Sequence, residues 1–235
     1  QLAAFRRLDC QFAEVIVSDD CSREEHLNRI RDLEQTYGFR LVTTPVNGGL
    51  GHNINKGQDL VRTPYTLYVQ EDFEPSDIFP QHFVDALLFM EEQPELDIIR
   101  FYAYFAYPVL KPVGKGFSEM IFRPWNLNHI KVYMYSDHPH LRRSSFLEKF
   151  GRYREGVSPD VAEYSMAISF LQKKGKGLFF NEFSSLFYQK NDNDEPSTVD
   201  RPHWRQSRNP LVLALREVYL KYRLVKIAWD IKFRK

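Results

Sequence analysis

Glu14-Val-Ile-Val-Ser18, followed at once by Asp19-Asp20, is the stretch that decides how this chain folds. Its β-branched core makes a short apolar run, the pattern of a buried strand, and the paired acids stop it. Ser22 stands just beyond with Glu25 three residues on, so a capping-box start is expected for a helix reaching about Tyr37 and ending at Gly38. The same alternation then repeats. Phe39–Thr43 reads as a second strand, residues 44–50 as a Pro/Asn/Gly loop, 51–61 as a helix and Tyr65–Gln70 as a third strand running into Glu71-Asp72. A helix over 77–92 sets Phe79, Phe83, Leu87 and Met90 on one face, Pro94 follows it, and Asp97–Tyr102 is a fourth strand. Upstream, Leu2, Phe5 and Leu8 have helical spacing. Strands alternating with helices predict an α/β, Rossmann-like fold with a mostly parallel sheet flanked by helices. Ligands of such folds bind beyond the carboxyl ends of the strands, where all three motifs discussed below lie.

Past residue 102 the pattern loosens. Residues 103–130 carry Pro, Gly and aromatics without a strong period. Val132–Tyr135 is expected as a strand, 145–150 and 160–174 as helices, and Gly177–Phe187 as a strand or hairpin arm. Residues 189–209 read as a polar loop and 211–233 as a long helix.

Bulk composition narrows the function classes. The chain has 235 residues, 43% hydrophobic and 15% aromatic, enough to bury a sizeable core. A net charge of +1 gives no electrostatic footprint for nucleic acid, so no nucleic-acid partner is expected. Cys10 and Cys21 form neither a disulfide framework nor a metal cluster, which fits a reducing compartment. The chain opens on Gln1 without a recognisable signal peptide and has no apolar run of about 18 residues, so a cytoplasmic protein without a transmembrane helix is expected.

Three places have the residue types for chemistry. Asp19 and Asp20, just past a buried strand, can accept hydrogen bonds from a base or ribose, or simply cap the next helix. In Asn47–Gly57 (Asn-Gly-Gly-Leu-Gly-His-Asn-Ile-Asn-Lys-Gly), the glycines permit tight backbone and a helix start offers amides to a phosphate. The stretch is neither the dinucleotide fingerprint nor a Walker loop. Glu71 and Asp72 are adjacent acids at a strand end, an arrangement that a hard divalent cation would neutralise, unless they simply face solvent.

In order and spacing, Asp19-Asp20-Cys21-Ser22, Asn47–Gly57 and Gln70-Glu71-Asp72 resemble the signature of glycosyltransferase family 2, best over residues 13–100. The resemblance implies a GT-A-type fold and a hexosyltransferase-type enzyme. It would move a sugar from a nucleotide-diphosphate donor to a hydroxyl acceptor, inverting the anomeric centre, in polysaccharide or surface-glycan synthesis. It further implies nucleotide contacts from Asp19, Asp20, Asn47, Gly49, Asn53, Gln70 and Glu71, and a divalent metal (Mn²⁺ or Mg²⁺) on Asp72. Gln70 stands where the family's first motif Asp belongs, and an amide is a poor hard-cation ligand. The family's late Glu-Asp motif falls on Glu163-Tyr164, leaving Asp160 and Glu163 as the general-base candidates. The alternative expectation is a catalytically silent sugar-nucleotide or glycan-binding module of the same fold. Family members begin with an apolar strand central in the sheet; nothing before Gln11 supplies one, so either that strand lies upstream of Gln1, the favoured expectation, or this protein departs from the family. The implied organisation is a nucleotide-sugar-binding half at 1–100, an acceptor-binding half of the same domain at 101–209 and a basic amphipathic helix at 210–235.

Other residues read more plainly. His129, His138 and His140 are expected as loop histidines, and His203 as a loop histidine with a lid residue as the alternative, while Trp125, Tyr102 and Trp204 are expected as buried aromatics with stacking on a sugar acceptor as the alternative. In residues 211–235, Leu211, Leu215, Val218, Tyr222, Val225, Trp229 and Phe233 recur at helical spacing. They are expected to pack on the domain while the basic side meets an anionic membrane surface, which suits a glycan or lipid-linked acceptor at the inner membrane face.

Overall fold

A computed structural model of the protein describes residues 1–190 and 210–233. In chain order the elements are α1 (Leu2–Arg7), β1 (Ile16–Ser18), α2 (Glu24–Tyr37), β2 (Arg40–Val42), α3 (Gly49–Gln58), β3 (Tyr65–Tyr68), β4 (Phe73–Pro75), α4 (Phe79–Glu92) and β5 (Ile98–Arg100). Then follow β6 (Leu110–Gly114), β7 (Phe117–Met120), a 3₁₀ turn (His129–Val132), β8 (His140–Arg143), α5 (Phe146–Phe150), α6 (Pro159–Gln172), β9 (Gly177–Phe180), β10 (Phe187–Gln189) and α7 (Pro210–Phe233). The α/β class holds. The sheet, however, is mixed rather than mostly parallel. Its six strands run β3-β8-β5-β9-β7-β6, and β8 inserts antiparallel between β3 and β5. Among the described residues, parallel pairing is confined to β1 with β2 and β5 with β9. The sheet draws strands from both sides of residue 100. β1 and β2 form a separate two-stranded sheet, as do β4 and β10.

Alternation along the strands builds two cores. Ile98 of β5 and Phe179 of β9 point into one, with Tyr135, Phe146, Tyr153, Met166 and Phe170. Ile99, Leu178 and Phe180 point into the other, with Phe73, Phe79, Phe101, Phe117 and Phe187. This is the period-2 geometry of strands covered on both faces. On α4 the expected apolar face forms, with Phe79 and Met90 fully buried.

Several expectations are corrected. The capping box at Ser22 does not form: α2 starts at Glu24, and the Ser22 amide donates instead to Asp19 Oδ2 at 3.1 Å. Gly38 does end that helix, at φ +67°. Val132–Tyr135 is not a strand. Asn128 caps a 3₁₀ turn by accepting from the Ile130 amide at 2.9 Å, and Val132 and Tyr135 are buried from that turn and the bend after it. The hairpin of β6 and β7 went unpredicted, because its tight turn Gly114-Lys115-Gly116 is flanked by exposed, proline-containing sequence.

The largest reversal concerns α7. Of the stripe expected to pack, Leu215, Val218, Tyr222, Val225, Trp229 and Phe233 are exposed; the side chain of Leu211 lies outside the described residues. The packing face is Ile227 with Ile231, set against Val132, Ile168, Tyr133 and Tyr164. α7 has apolar residues on both sides, and periodicity alone selects the longer row.

The approach of α3 to the loop after α5 gives a direct test. A Cβ on Gly51 would lie 2.2 Å from the Arg154 carbonyl oxygen, whereas one on Gly38 meets open space and only the left-handed φ. Gly51→Ala is therefore predicted to cost about 1–3 kcal/mol by overpacking. Gly38→Ala should cost about 1 kcal/mol, the penalty of the left-handed conformation. Urea unfolding of both variants checks this, and a Gly51→Ala midpoint equal to that of the unsubstituted protein would contradict the packing.

Candidate functional site

The first group gathers where β1 ends. Asp20 accepts from the amides of Gly48 (Oδ1, 3.0 Å) and Gly49 (Oδ2, 2.7 Å). Asn47 donates to the Asp20 carbonyl at 3.2 Å and accepts from the Gly49 amide at 3.1 Å. The amides expected to be free for a phosphate are thus engaged by the protein's own carboxylate. Unpaired donors at a helix start draw the nearest anion. Asp19 is buried and bonds Ser22, and the Lys56 ammonium donates to its carbonyl. Burial holds Lys56 below the usual lysine range, against the pull of Asp20 and Asp19. Asn53 fastens α3 to β1, donating to the Ser18 carbonyl at 2.9 Å and accepting from its hydroxyl at 2.7 Å.

The second group follows β3. Gln70 is half-buried and its carbonyl accepts from the Gln1 side chain at 2.6 Å; Glu71 is exposed. Asp72 is held by one oxygen: Oδ2 accepts from Gln189 Nε2 at 2.7 Å, while Oδ1 is buried without a partner among the described residues.

The third group surrounds the start of α6. Glu163 Oε1 accepts from Ser136 Oγ at 2.8 Å and from the Asp137 amide at 3.2 Å. Asp160 is exposed in the first helical turn and lies apart from these bonds. Ser136 Oγ also meets His138 Nδ1 at 2.8 Å. The His138 ring meets Tyr104 at 4.7 Å between centroids, and the Tyr104 hydroxyl donates to Gln189 Oε1 at 2.7 Å. A continuous row of contacts therefore runs from Asp72 through Gln189, Tyr104, His138 and Ser136 to Glu163.

Behind that row lies a buried polar layer. Asp137 Oδ1 accepts from the hydroxyls of Tyr135 at 2.8 Å and Tyr153 at 3.1 Å. Burial, reinforced by Glu163, pushes its carboxyl well above the usual range, with Arg142 opposing. His140 belongs to β8 and is fully buried, so it is no loop histidine. Burial drives its imidazole far below normal, and takes His138 down to about 3. Arg100 and Arg142 are likewise lowered to about 10 by burial. The Arg142 guanidinium sits 5.6 Å from the Tyr68 ring and donates to Gln58 at 2.7 Å.

The first group joins the third through α3. Asn55 is buried, donates to Glu155 at 2.7 Å and to the Tyr153 carbonyl at 3.0 Å, and accepts from the Tyr153 amide. That loop leads directly into α6. Sequence reasoning gave Arg142 and Gln189 no role, and met Asn55 and Asp137 only as members of Asn47–Gly57 and of the polar run through His140. Of the acceptor-stacking candidates, Trp125 is exposed, Tyr102 packs on Phe73 at 4.8 Å, and Trp204, like His203, lies outside the described residues.

Residues 2–151 match the family model for glycosyl transferase family 2, and the chain belongs to that family. No curated protein matches it. Among solved structures it is similar to S. aureus TarS 1–349 in complex with UDP-GlcNAc. That likeness has a TM-score of 0.57 at 16% identity, covering 92% of this chain and 63% of that one. It is also similar to GalNAc-T7 with UDP, GalNAc and Mn²⁺, at a TM-score of 0.53 and 12% identity, over 72% of this chain and 36% of that one. The chain thus spans less than two thirds of either structure. These likenesses establish the GT-A fold.

The buried carboxyl of Asp137 makes stability depend on pH. A raised acid contributes stability below its unfolded value of about 3.9 and loses it as pH rises through the folded value. Asp137→Asn removes that loss. Its stability relative to the unsubstituted protein is predicted to improve from pH 5 to pH 8, by up to about 1.4 kcal/mol per unit. Thermal melts at both pH values check the slope; no change in the difference between the two proteins from pH 5 to pH 8 would show that Asp137 is ionised in the folded state.

Proposed function

We propose that the protein transfers a sugar from a nucleotide-diphosphate donor to a hydroxyl acceptor with inversion, in polysaccharide or surface-glycan synthesis. The observation that carries this is the Asp72 carboxylate, one oxygen anchored and the other buried and unpartnered, linked by contacts to a second fixed carboxylate, Glu163. Among the described residues no group of three or more His, Cys, Asp or Glu stands together to hold a metal ion. A single buried carboxylate oxygen does fit a Mg²⁺ or Mn²⁺ ion that arrives with the diphosphate, since such ions are commonly held by one or two carboxylates plus substrate phosphates. When bound there, the cation would neutralise charge on the departing diphosphate. Gln70 and Glu71 flank that position.

At the other end, Asp19, Asp20, Asn47, Gly49 and Asn53 shape the strand end that would receive the nucleotide. With its carboxylate committed to the Gly48 and Gly49 amides, Asp20 acts by fixing this loop. Glu163 would accept the acceptor hydroxyl's proton. The hydroxyl oxygen then bonds the anomeric carbon from the face opposite the donor phosphate, and the carbon–oxygen bond to the nucleotide diphosphate breaks. Two hydrogen bonds to Oε1 orient the Glu163 carboxylate for this; Asp160, exposed one turn earlier, is the second candidate. A glycan or lipid-linked acceptor at the inner membrane face completes the reading.

A second reading, a silent donor- or glycan-binding module, is favoured by Tyr164. It occupies the family's acid position and donates to Asp230 of α7 at 2.8 Å. Calorimetry with UDP- and GDP-sugars plus Mn²⁺ or Mg²⁺, followed by transfer assays, separates the two. Glu163→Gln is predicted to keep donor binding and lower turnover roughly 10²–10⁴-fold, the usual scale of a general base. Asp72→Asn should weaken metal-dependent donor binding by about tenfold or more, some 1.4 kcal/mol. Donor binding without turnover would support the module, and no donor binding would refute the transferase and leave only a glycan-binding module.

A further inference from the structure

α7 has two apolar sides with different fates. Ile227 is fully buried against Val132 and Ile168, and Tyr164 bonds Asp230, so one side is fixed to α6 and the 3₁₀ turn. On the other side Leu215 is 70% exposed, Val225 69% and Trp229 64%, and Val218, Tyr222 and Phe233 are exposed with them. At 3.6 residues per turn these six share one narrow stripe. The Trp229 and Phe233 rings pack together at 4.4 Å, so the stripe is preformed. Lys221 and Lys232 line one margin and Lys226 the other, all three exposed. Asp230 faces inward, where it accepts from Tyr164 and Lys226.

We propose that this outward stripe of α7 seats in the headgroup region of an anionic lipid bilayer, with Lys221 and Lys232 on the lipid phosphates and Lys226 held at the other margin by Asp230. Charge decides the occupant. A second copy of the chain would set lysine margins against lysine margins, whereas anionic lipid complements them. The mix of Trp and Tyr with aliphatic residues suits the boundary between headgroups and acyl chains. Among the described residues no helix is long and apolar enough to cross a membrane, so α7 lies on the bilayer rather than through it. The face expected from the sequence is reversed: the apolar stripe, not a basic side alone, meets the lipid. Because α7 is bonded to α6, docking also fixes the helix that carries Glu163 relative to the bilayer. The inference rests on α7 alone and stands or falls separately from sugar transfer.

The test is co-sedimentation with vesicles of phosphatidylcholine alone and with added phosphatidylglycerol. The unsubstituted protein should pellet with the anionic vesicles and stay in solution with the neutral ones. Val225→Ser with Trp229→Ser should abolish pelleting, and Trp229→Phe should keep it. Each of Lys221→Gln and Lys232→Gln should weaken binding roughly fivefold, the equivalent of about 1 kcal/mol per lysine near the surface. Because the substituted apolar side chains are exposed, their circular-dichroism melts should match the unsubstituted protein. Equal recovery with both vesicle types, or binding that survives the double serine variant, would overturn the proposal. So would a dimer in sedimentation velocity that the same variant dissociates, since a second copy would then cover the stripe.

Discussion

The buried amide of Asn55 is the interaction on which the arrangement of the site depends. Both ends of that side chain are satisfied by one loop, at the Tyr153 backbone and Glu155. Leaving such a buried group unpaired costs on the order of 1–3 kcal/mol, so helix and loop are held as a unit. The spacing within α3 shows how. Gly51 and Asn55, four apart, face the loop; Asn53 and Gly57, also four apart, face Ser18. Each face pairs a glycine for close approach with an asparagine for grip. One short helix thereby ties the end of β1 to the loop that aims α6.

What the sequence disclosed was what local physics controls. A β-branched run ending in acids, the glycine after α2, and the apolar face of α4 were readable because their causes lie within a few residues. β8 was not readable. Its sequence, His-Leu-Arg-Arg, looks like a polar turn, yet it is an inner strand whose charges find partners far along the chain. Arg143 donates to the carbonyls of Met90, Gln93 and Leu96, closing the end of α4, whose last turn has no basic residue of its own. Of the candidate site, Asp72 and Glu163 were legible as acids at a strand end and a helix start. The residues that orient them, Gln189, Ser136 and His138, were not, because their relation to those acids exists only once β10 pairs with β4 and the segment before β8 packs on α6.

The polar layer behind Glu163 is costly to build. Asp137 Oδ2, His140 Nε2, Arg100 Nε and two nitrogens of Arg142 are buried without hydrogen-bond partners among the described residues. Arg142 recovers part of this between aromatic rings, with Phe146 at 5.3 Å and Tyr68 at 5.6 Å. Stability alone would favour an apolar filling here. A fold that tolerates such a layer next to a fixed carboxylate has kept polarity and rigidity together, the condition under which electrostatic effects are strongest.

The outer margin of the sheet carries a different consequence. β6 is the last strand in the order, and its free side could in principle recruit a strand from another molecule. Pro112 removes a backbone donor, the register shifts between Pro112 and Gly114, and Lys111 stands exposed beside them. A strand missing a donor, out of register and charged makes a poor template for growth. The protein can therefore be concentrated beside its neighbours without this edge of the sheet extending from one molecule into the next.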